Sequence, residues 1–238
     1  MSGGTHTIQY GDTTIAYDLS YAPRKTLAIS VAPDLRVRVT APPDTDLDAI
    51  AAKVRQRAPW ILRQRRELAR YLPATPPRQY RSGETHRYLG RQYRLHVVAG
   101  EPAVVGLTRG WLHVTTPDTD DTERVRQLLD GWYDTRARRV FPERLRAMLP
   151  RFTTVDVTEP ALVIRPLEAR WGSCSGAGTV TLNVRLIQAP KPHIDYVVVH
   201  ELCHLVEHNH SKRFYALLDR MLPDWREQRR ALNELALG

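Results

Sequence analysis

The sequence predicts an α+β fold, with a β-rich first part followed by a helix-rich second part, on three observations. Short β-branched runs separated by turn residues crowd the first 116 residues. After Pro117 the apolar residues recur at helical spacing, interrupted by only a few strand-like stretches. The chain has 238 residues, of which 42% are hydrophobic, enough to bury a core without disulfide or metal staples.

Four strands are expected at 5–10, 13–19, 27–31 and 35–40, each rich in Thr, Val, Ile or Tyr, with turns at Gly11-Asp12 and Pro33-Asp34. Residues 46–72 take helical spacing, with Leu47, Ile50, Val54, Ala58 and Ile61 on one stripe, and Pro59 is expected to kink or split them. A Pro-rich link at 73–77 leads to four more strands at 86–90, 92–98, 104–108 and 111–115, with hairpin turns at Gly90-Arg91 and Arg109-Gly110. A helix over 121–149 follows, with a break expected at Pro142. Next come a strand at 162–165, a loop containing Arg170-Trp-Gly-Ser-Cys174, and an alternating strand at 179–187. That strand turns Val180, Leu182, Val184 and Leu186 one way and Thr181, Asn183 and Arg185 the other. Three helices close the chain: one through a histidine cluster, one from Ser211, and one after Pro223. The change of texture places two domains at 1–120 and 121–238.

Composition narrows the function. No apolar run approaches the ~20 residues that span a bilayer, so no membrane role is expected. The N-terminus has no basic start followed by an apolar stretch, and the two cysteines, Cys174 and Cys203, are too few for a disulfide framework; a cytoplasmic location is expected. The net charge is +9, of which +6 lies in residues 1–120, concentrated from Lys53 to Arg70. Such a segment can meet an anionic partner, nucleotide or nucleic acid. The plainer reading is a solvated helix face, because no aromatic residues interleave with the arginines.

Five of the nine histidines lie between His193 and His210, and His200-Glu-Leu-Cys-His204 has the form HExxH. Four residues apart on a helix, His200 and His204 share one face about 6 Å apart along the axis and can converge on one metal ion. Glu201 is offset from that face and can take a proton from an attacking water, the arrangement of zinc-assisted hydrolysis. The flanking Val197-Val-Val199, Leu202 and Leu205 predict a buried helix, where two histidines and a glutamate need a binding reason. A third ligand is sought among Glu207, His208 and His210. His208 would extend a straight row over about 12 Å of axis, which closes poorly into a tetrahedral face. His210 is preferred if the chain turns back, with Asn209 ending one helix and Ser211 capping the next.

Together, Arg170-Trp-Gly-Ser-Cys174, Leu182-Asn183, Ile194-Asp-Tyr196, Val199-His-Glu-Leu-Cys-His-Leu205 and Asn209-His-Ser211 resemble the YgjP-like metallopeptidase family, cytoplasmic relatives of SprT-like and other zincin-type metallopeptidases. Arg24-Lys-Thr26, Trp60-Ile61, Ser82-Gly-Glu84 and Tyr88-Leu-Gly-Arg91 extend the resemblance into the first half. It implies a zincin-like second half with one Zn2+ per chain, His200, His204 and His210 as ligands, Glu201 as general base, and peptide or protein as substrate. The strand at 179–187 would line the cleft as an edge on which an extended peptide pairs. Arg170, Arg185 and Tyr215 are candidates for stabilising the developing oxyanion, and Trp171 and Asn183 for substrate contact. Tyr215 stands where the family pattern more often has Trp, which leaves the metal site untouched. Two other readings are a metal-dependent nucleotide pyrophosphohydrolase acting on nucleoside triphosphates and a nucleic-acid-associated SprT-like protease. A purely structural zinc conflicts with a glutamate beside only three ligands.

Overall fold

The computed structural model describes residues 4–32, 34–69, 78–168 and 170–237. Pro33, Arg70 and the Pro-rich link expected at 73–77 lie outside them. The fold is α+β, built as two compact units: Met1–Pro76 with Ala236–Gly238, and Pro77–Leu235.

In the first unit, strands β1 (Gly4–Tyr10), β2 (Thr13–Tyr21), β3 (Ala28–Val31) and β4 (Val37–Ala41) form one sheet in the order β1-β2-β4-β3. β1 and β2 make an antiparallel hairpin through Gly11, whose φ of 56° suits glycine, while β2 and β4 run parallel. Helix α1 (Leu47–Ala69) buries Ile50, Val54, Ala58 and Ile61 completely, as the periodicity predicts, while Leu47 of the expected stripe is exposed at the helix start. Asp46 starts it by accepting hydrogen bonds from the N–H groups of Asp48 and Ala49. The split expected at Pro59 does not occur. Pro59 lies on the exposed side of the helix, and burial of Ala58 and Ile61 on the other side holds the backbone helical across it.

The second unit opens with β5 (Thr85–Tyr88), β6 (Arg91–Ala99), β7 (Val104–Thr108) and β8 (Trp111–Thr116), in the order β5-β6-β8-β7. The hairpin turn is Leu89-Gly90, one residue before the expected Gly90-Arg91, and both residues have positive φ, 48° and 82°, as a tight turn requires. The sheet's inner residues Leu95, Leu112 and Val114 share a core with Val125, Leu129 and Phe141 of helix α2 (Thr122–Met148). The sheet is also tied to later segments by hydrogen bonds from Leu89 N to Ile187 O and from Tyr133 Oη to Arg87 O. The domain boundary expected at 120/121 therefore falls inside one compact unit, and the chain divides at 76/77 instead. Asp121 caps α2 by accepting from Arg124 N. The break expected at Pro142 is also absent, because the buried Val140, Phe141 and Leu145 hold the helix to the core through it.

After a 3-10 turn (Leu149–Val155), β9 (Leu162–Arg165), β10 (Gly172–Cys174) and β11 (Val180–Asn183) form a sheet in the order β10-β11-β9. Here the expected 179–187 strand is corrected twice. It stops at Asn183, whose side chain accepts from Arg185 N and starts a 3-10 helix over Val184–Gln188. This local side-chain bond outcompetes further strand pairing. β11 is also central, paired with β10 on one side and β9 on the other, and all four of its residues are buried, so it is not a cleft edge. Helices α3 (Lys191–Cys203), α4 (Lys212–Met221) and α5 (Trp225–Leu237) complete the chain.

Candidate metal centre

Helix α3 is the element that carries the motif. Arg144 of α2 clamps it through a bidentate ion pair to Asp195, both N–O distances being 2.6 Å. Val197, Val198, Val199, Leu202 and Cys203 are buried around it, so the helix packs on nearly every side. It ends at Cys203, with His204 as its cap residue, six residues before the Asn209 stop expected from sequence. Turn hydrogen bonds from Val206 N and Glu207 N to Cys203 O redirect the chain at once. That early turn returns His210 to the motif. Ser211 then starts α4 by accepting from Phe214 N, as expected.

The result is a cluster in which one potential ligand atom from each of His200, His204 and His210 lies within 4.8 Å of the other two. Nε2 of His200 and Nε2 of His210 are 3.1 Å apart, near the ~3.3 Å separating two nitrogens bound to one tetrahedral zinc. His204 Nδ1 donates to the Glu207 carbonyl at 3.1 Å; a carbonyl can only accept, so the His204 proton sits on Nδ1 and Nε2 keeps its lone pair. Glu207 thus contributes its main chain and not its carboxylate. His208 is exposed and outside the cluster. Burial, and then the neighbouring His204 and His210, hold the His200 imidazole down at about 3, and burial lowers His210 too. Neutral imidazoles with converging lone pairs are a donor set that suits zinc, so the residues fit the ion.

Phe214 is the floor of the site. It is fully buried, stacked on His204 with ring centroids 4.5 Å apart, and lies 5.0 Å and 4.7 Å from the His200 and His210 rings. An aromatic arc links the two ends of the cluster. His210 stacks on Tyr215, Tyr215 on Trp225, Trp225 on Tyr196, and Tyr196 meets His200 edge-on. Asp219 accepts from Trp225 Nε1 at 2.7 Å and fixes the middle ring. Of these supports the sequence names Tyr215 as a site candidate and Tyr196 only as part of the Ile194-Asp-Tyr196 motif; the apolar spacing of Phe214, Leu217, Leu218 and Met221 directly after His210 is the signal for Phe214.

Glu201 is only 5% exposed, and burial raises its carboxyl to about 7 against the lowering effect of the Arg170 charge. It packs against Gly172, where an added Cβ would stand 2.7 Å from Oε1. β10, not β11, is thus the strand beside Glu201. Trp171 O accepts from Asn183 N and Ser175 N donates to Thr179 O, so by antiparallel alternation the backbone groups of Gly172 and Cys174 point away from β11. Among the described residues no strand pairs on that edge.

The other residues singled out from sequence are dispersed. Arg170 is exposed and close enough for its charge to act on Glu201, and Trp171 is half-buried beside it. Asn183 is buried, and its amide nitrogen donates to Leu167 O and Arg170 O, so it holds the Arg170 loop from behind. Arg185 is exposed on the 3-10 helix after β11 rather than on a strand. Cys203 is fully buried, and Cys174 is half-buried on β10, its thiol raised by burial and then by Glu201.

A family model described as the YgjP-like metallopeptidase domain matches residues 25–235. Two solved structures resemble part of the chain. The metallopeptidase zymogen of Pyrococcus abyssi abylysin is 22% identical, with a TM-score of 0.37, over 42% of this chain and 98% of that one. The metallopeptidase zymogen of Methanocaldococcus jannaschii jannalysin is 18% identical, with a TM-score of 0.35, over 40% and 96%. No curated protein matches. With its family model spanning most of its length, the chain belongs to the YgjP-like metallopeptidase family.

Proposed function

We propose that this chain is a zinc-dependent peptidase that binds one Zn2+ through His200, His204 and His210 and uses Glu201 as its general base. The observation that carries the proposal is the convergence of three imidazoles within 4.8 Å on the helix turn that carries the buried Glu201. A zinc ion held there supplies Lewis-acid activation of water and of the scissile carbonyl. Glu201 takes the proton of the attacking water on a carboxylate oxygen and passes it to the leaving nitrogen as the C–N bond breaks. The outward backbone groups of Gly172 and Cys174 on β10 hold an extended peptide as an added strand. Arg170, exposed and close enough for its charge to act on Glu201, is one candidate for facing the oxyanion, and Tyr215 walls the His210 side.

Nothing among the described residues favours a nucleotide or nucleic acid over a peptide. Two of the α1 arginines are engaged structurally, Arg55 donating to Gln9 O and Arg65 to Leu35 O and Ala16 O, which supports the solvated-face reading of the basic segment. Among the described residues no helix is long and apolar enough to cross a membrane.

The test is one incubation of zinc-loaded protein with a diverse peptide pool and nucleoside triphosphates, read by mass spectrometry beside Glu201→Gln. Peptide fragments absent from the variant are the expected result. Monophosphate and pyrophosphate in their place would overturn the peptide assignment.

A further inference from the structure

The outer face of the β5–β8 sheet carries a second arrangement of imidazoles that the proposed peptidase chemistry does not use. His96 on β6 and His113 on β8 are directly opposite each other in the parallel pairing of these strands. Both therefore leave the sheet on one face, away from the buried Leu95, Leu112 and Val114. Their Nδ1 atoms stand 3.2 Å apart. Two nitrogens on one ion, each 2.0–2.1 Å from it, are about 3.3 Å apart at a tetrahedral angle and about 2.9 Å apart at a right angle. The pair thus has the bite of a two-histidine chelate, close to the 3.1 Å between His200 and His210.

Two neighbours prepare this pair. Thr108 Oγ1 lies 2.7 Å from His113 Nε2 and its hydroxyl can accept the ring N–H, the tautomer that presents the His113 Nδ1 lone pair to an ion. Opposite His113 on β7 stands Gly106, where an added Cβ would meet nothing within 4 Å, so there is room beside the pair for solvent ligands. Without an ion the His96 Nδ1 proton bridges the two rings as an ordinary hydrogen bond; an ion replaces that one proton.

We infer that His96 and His113 form a second cation site, distinct from the His200 cluster, that takes a borderline first-row ion such as copper(II), nickel(II) or zinc through two imidazoles and completes its shell with water. Imidazole nitrogen is the ligand these ions share, and copper binds tightest in the usual order. Arg94 lies over the Trp111 ring on the same face, 5.7 Å from its centroid, and its charge opposes the ion. The site is therefore weaker than a three-histidine centre and is occupied after it.

The inference is independent of the peptidase assignment, and its test is arranged to remain so. In a His200→Ala/His204→Ala protein, one equivalent of copper(II) should still bind in calorimetric titration and quench tryptophan fluorescence. Trp111, whose ring centroid is 5.7 Å from that of His96, supplies most of the quenched signal, which Trp111→Phe removes. Adding His96→Ala or His113→Ala should abolish the binding, and Thr108→Val should weaken it about tenfold. Zinc should bind the same site less tightly than copper. If the double variant does not fold, the wild type is saturated with zinc and followed by long-range proton–nitrogen NMR of the histidine rings. His96 and His113 Nδ1 should then move together after the His200 cluster has filled. Copper binding indifferent to His96→Ala, or histidine resonances unmoved at several equivalents of zinc, overturns the site.

Discussion

Gly172 and Glu201 are in van der Waals contact between strand β10 and helix α3, so closely that a methyl group on Gly172 would stand 2.7 Å from Glu201 Oε1 and 3.0 Å from Val197 Cγ1. The glycine lets a strand edge run directly over the carboxylate, which brings the proposed peptide-pairing backbone and the proposed base to one place. Gly172→Ala must displace Glu201 or β10, because Val197 sits in a packed core. We expect kcat/KM for peptide cleavage to fall about 100-fold with zinc stoichiometry unchanged, the scale of a misplacement near 1 Å. Gly176→Ala, whose added Cβ meets nothing within 4 Å, is the control and should be neutral. Equal activity of the two variants would remove β10 from the site.

Glu201→Gln keeps the volume of the side chain and removes its proton affinity. Turnover should fall by at least ~10²-fold while zinc content, measured by atomic absorption, stays at one per chain. Burial favours the change energetically, since a neutral amide replaces a carboxyl that burial already raises to about 7. The variant should therefore be as stable as the wild type or slightly more so. A variant that loses zinc with activity would mark Glu201 as a ligand instead.

Much of the candidate site is legible in residue order, because spacing on one helix turn is local information. His200, Glu201 and His204 follow from the 3.6-residue period, and His210 follows from the demand for a third ligand together with the Ser211 cap. The position of the helix end was not readable: Asn209 has the stronger stop chemistry, yet the chain leaves α3 at Cys203 through turn hydrogen bonds that no single residue type announces. The cleft strand was misread for a non-local reason. Alternation along 179–187 is real as sequence, but the capping bond of Asn183 ends the strand, and pairing by β9 buries the side taken for a free edge. Pro59 and Pro142 show the reverse error, in which a local rule is overridden by tertiary burial.

Phe214→Ala removes the ring beneath all three imidazoles. The cavity should cost about 3–5 kcal/mol of stability in chemical denaturation. Zinc affinity should also fall, because His204 loses the face against which it is stacked at 4.5 Å. Phe214→Leu fills most of the volume and should recover most of the stability. If it recovers stability but not affinity, the flat aromatic face itself sets the imidazole geometry.

Loading the centre should be visible in unfolding without any substrate. An ion that binds only the folded chain adds ~2.7 kcal/mol at a hundredfold excess over Kd, so the Tm should rise with free zinc and fall on chelation. His204→Ala should abolish that dependence at zinc concentrations below those that load the weaker His96–His113 pair. A Tm that still climbs with zinc in this variant would place the stabilising ion elsewhere, with His96 and His113 the first site to check.

The pH dependence of stability tests a buried group far from the metal in sequence. His86 is 1% exposed, and its Nδ1 lies 2.7 Å from Arg78 Nη1, which can only donate, so Nδ1 accepts and the imidazole proton sits on Nε2, facing Glu84 Oε2 at 3.2 Å. Protonating Nδ1 would aim a second N–H at the guanidinium. Burial first, and Arg78 second, hold the ring down at about 4 against the opposing pull of Glu84. The Tyr80 ring, tilted with its centroid 6.0 Å away, is a further titratable group against it among the described residues. Between pH 4 and 6.5 the unfolded chain binds a proton that the folded chain refuses, so stability rises with pH across this window. The contribution is complete above about 6.5, is lost as pH falls toward 4, and amounts to roughly 3 kcal/mol at most. Zinc-loaded wild type and His86→Asn should therefore differ in the slope of unfolding free energy against pH between 4 and 6.5, the variant being flatter. Parallel slopes in urea titrations at pH 4.5, 5.5 and 6.5 would mean that His86 is protonated in the folded chain and that Arg78 moves aside to admit it.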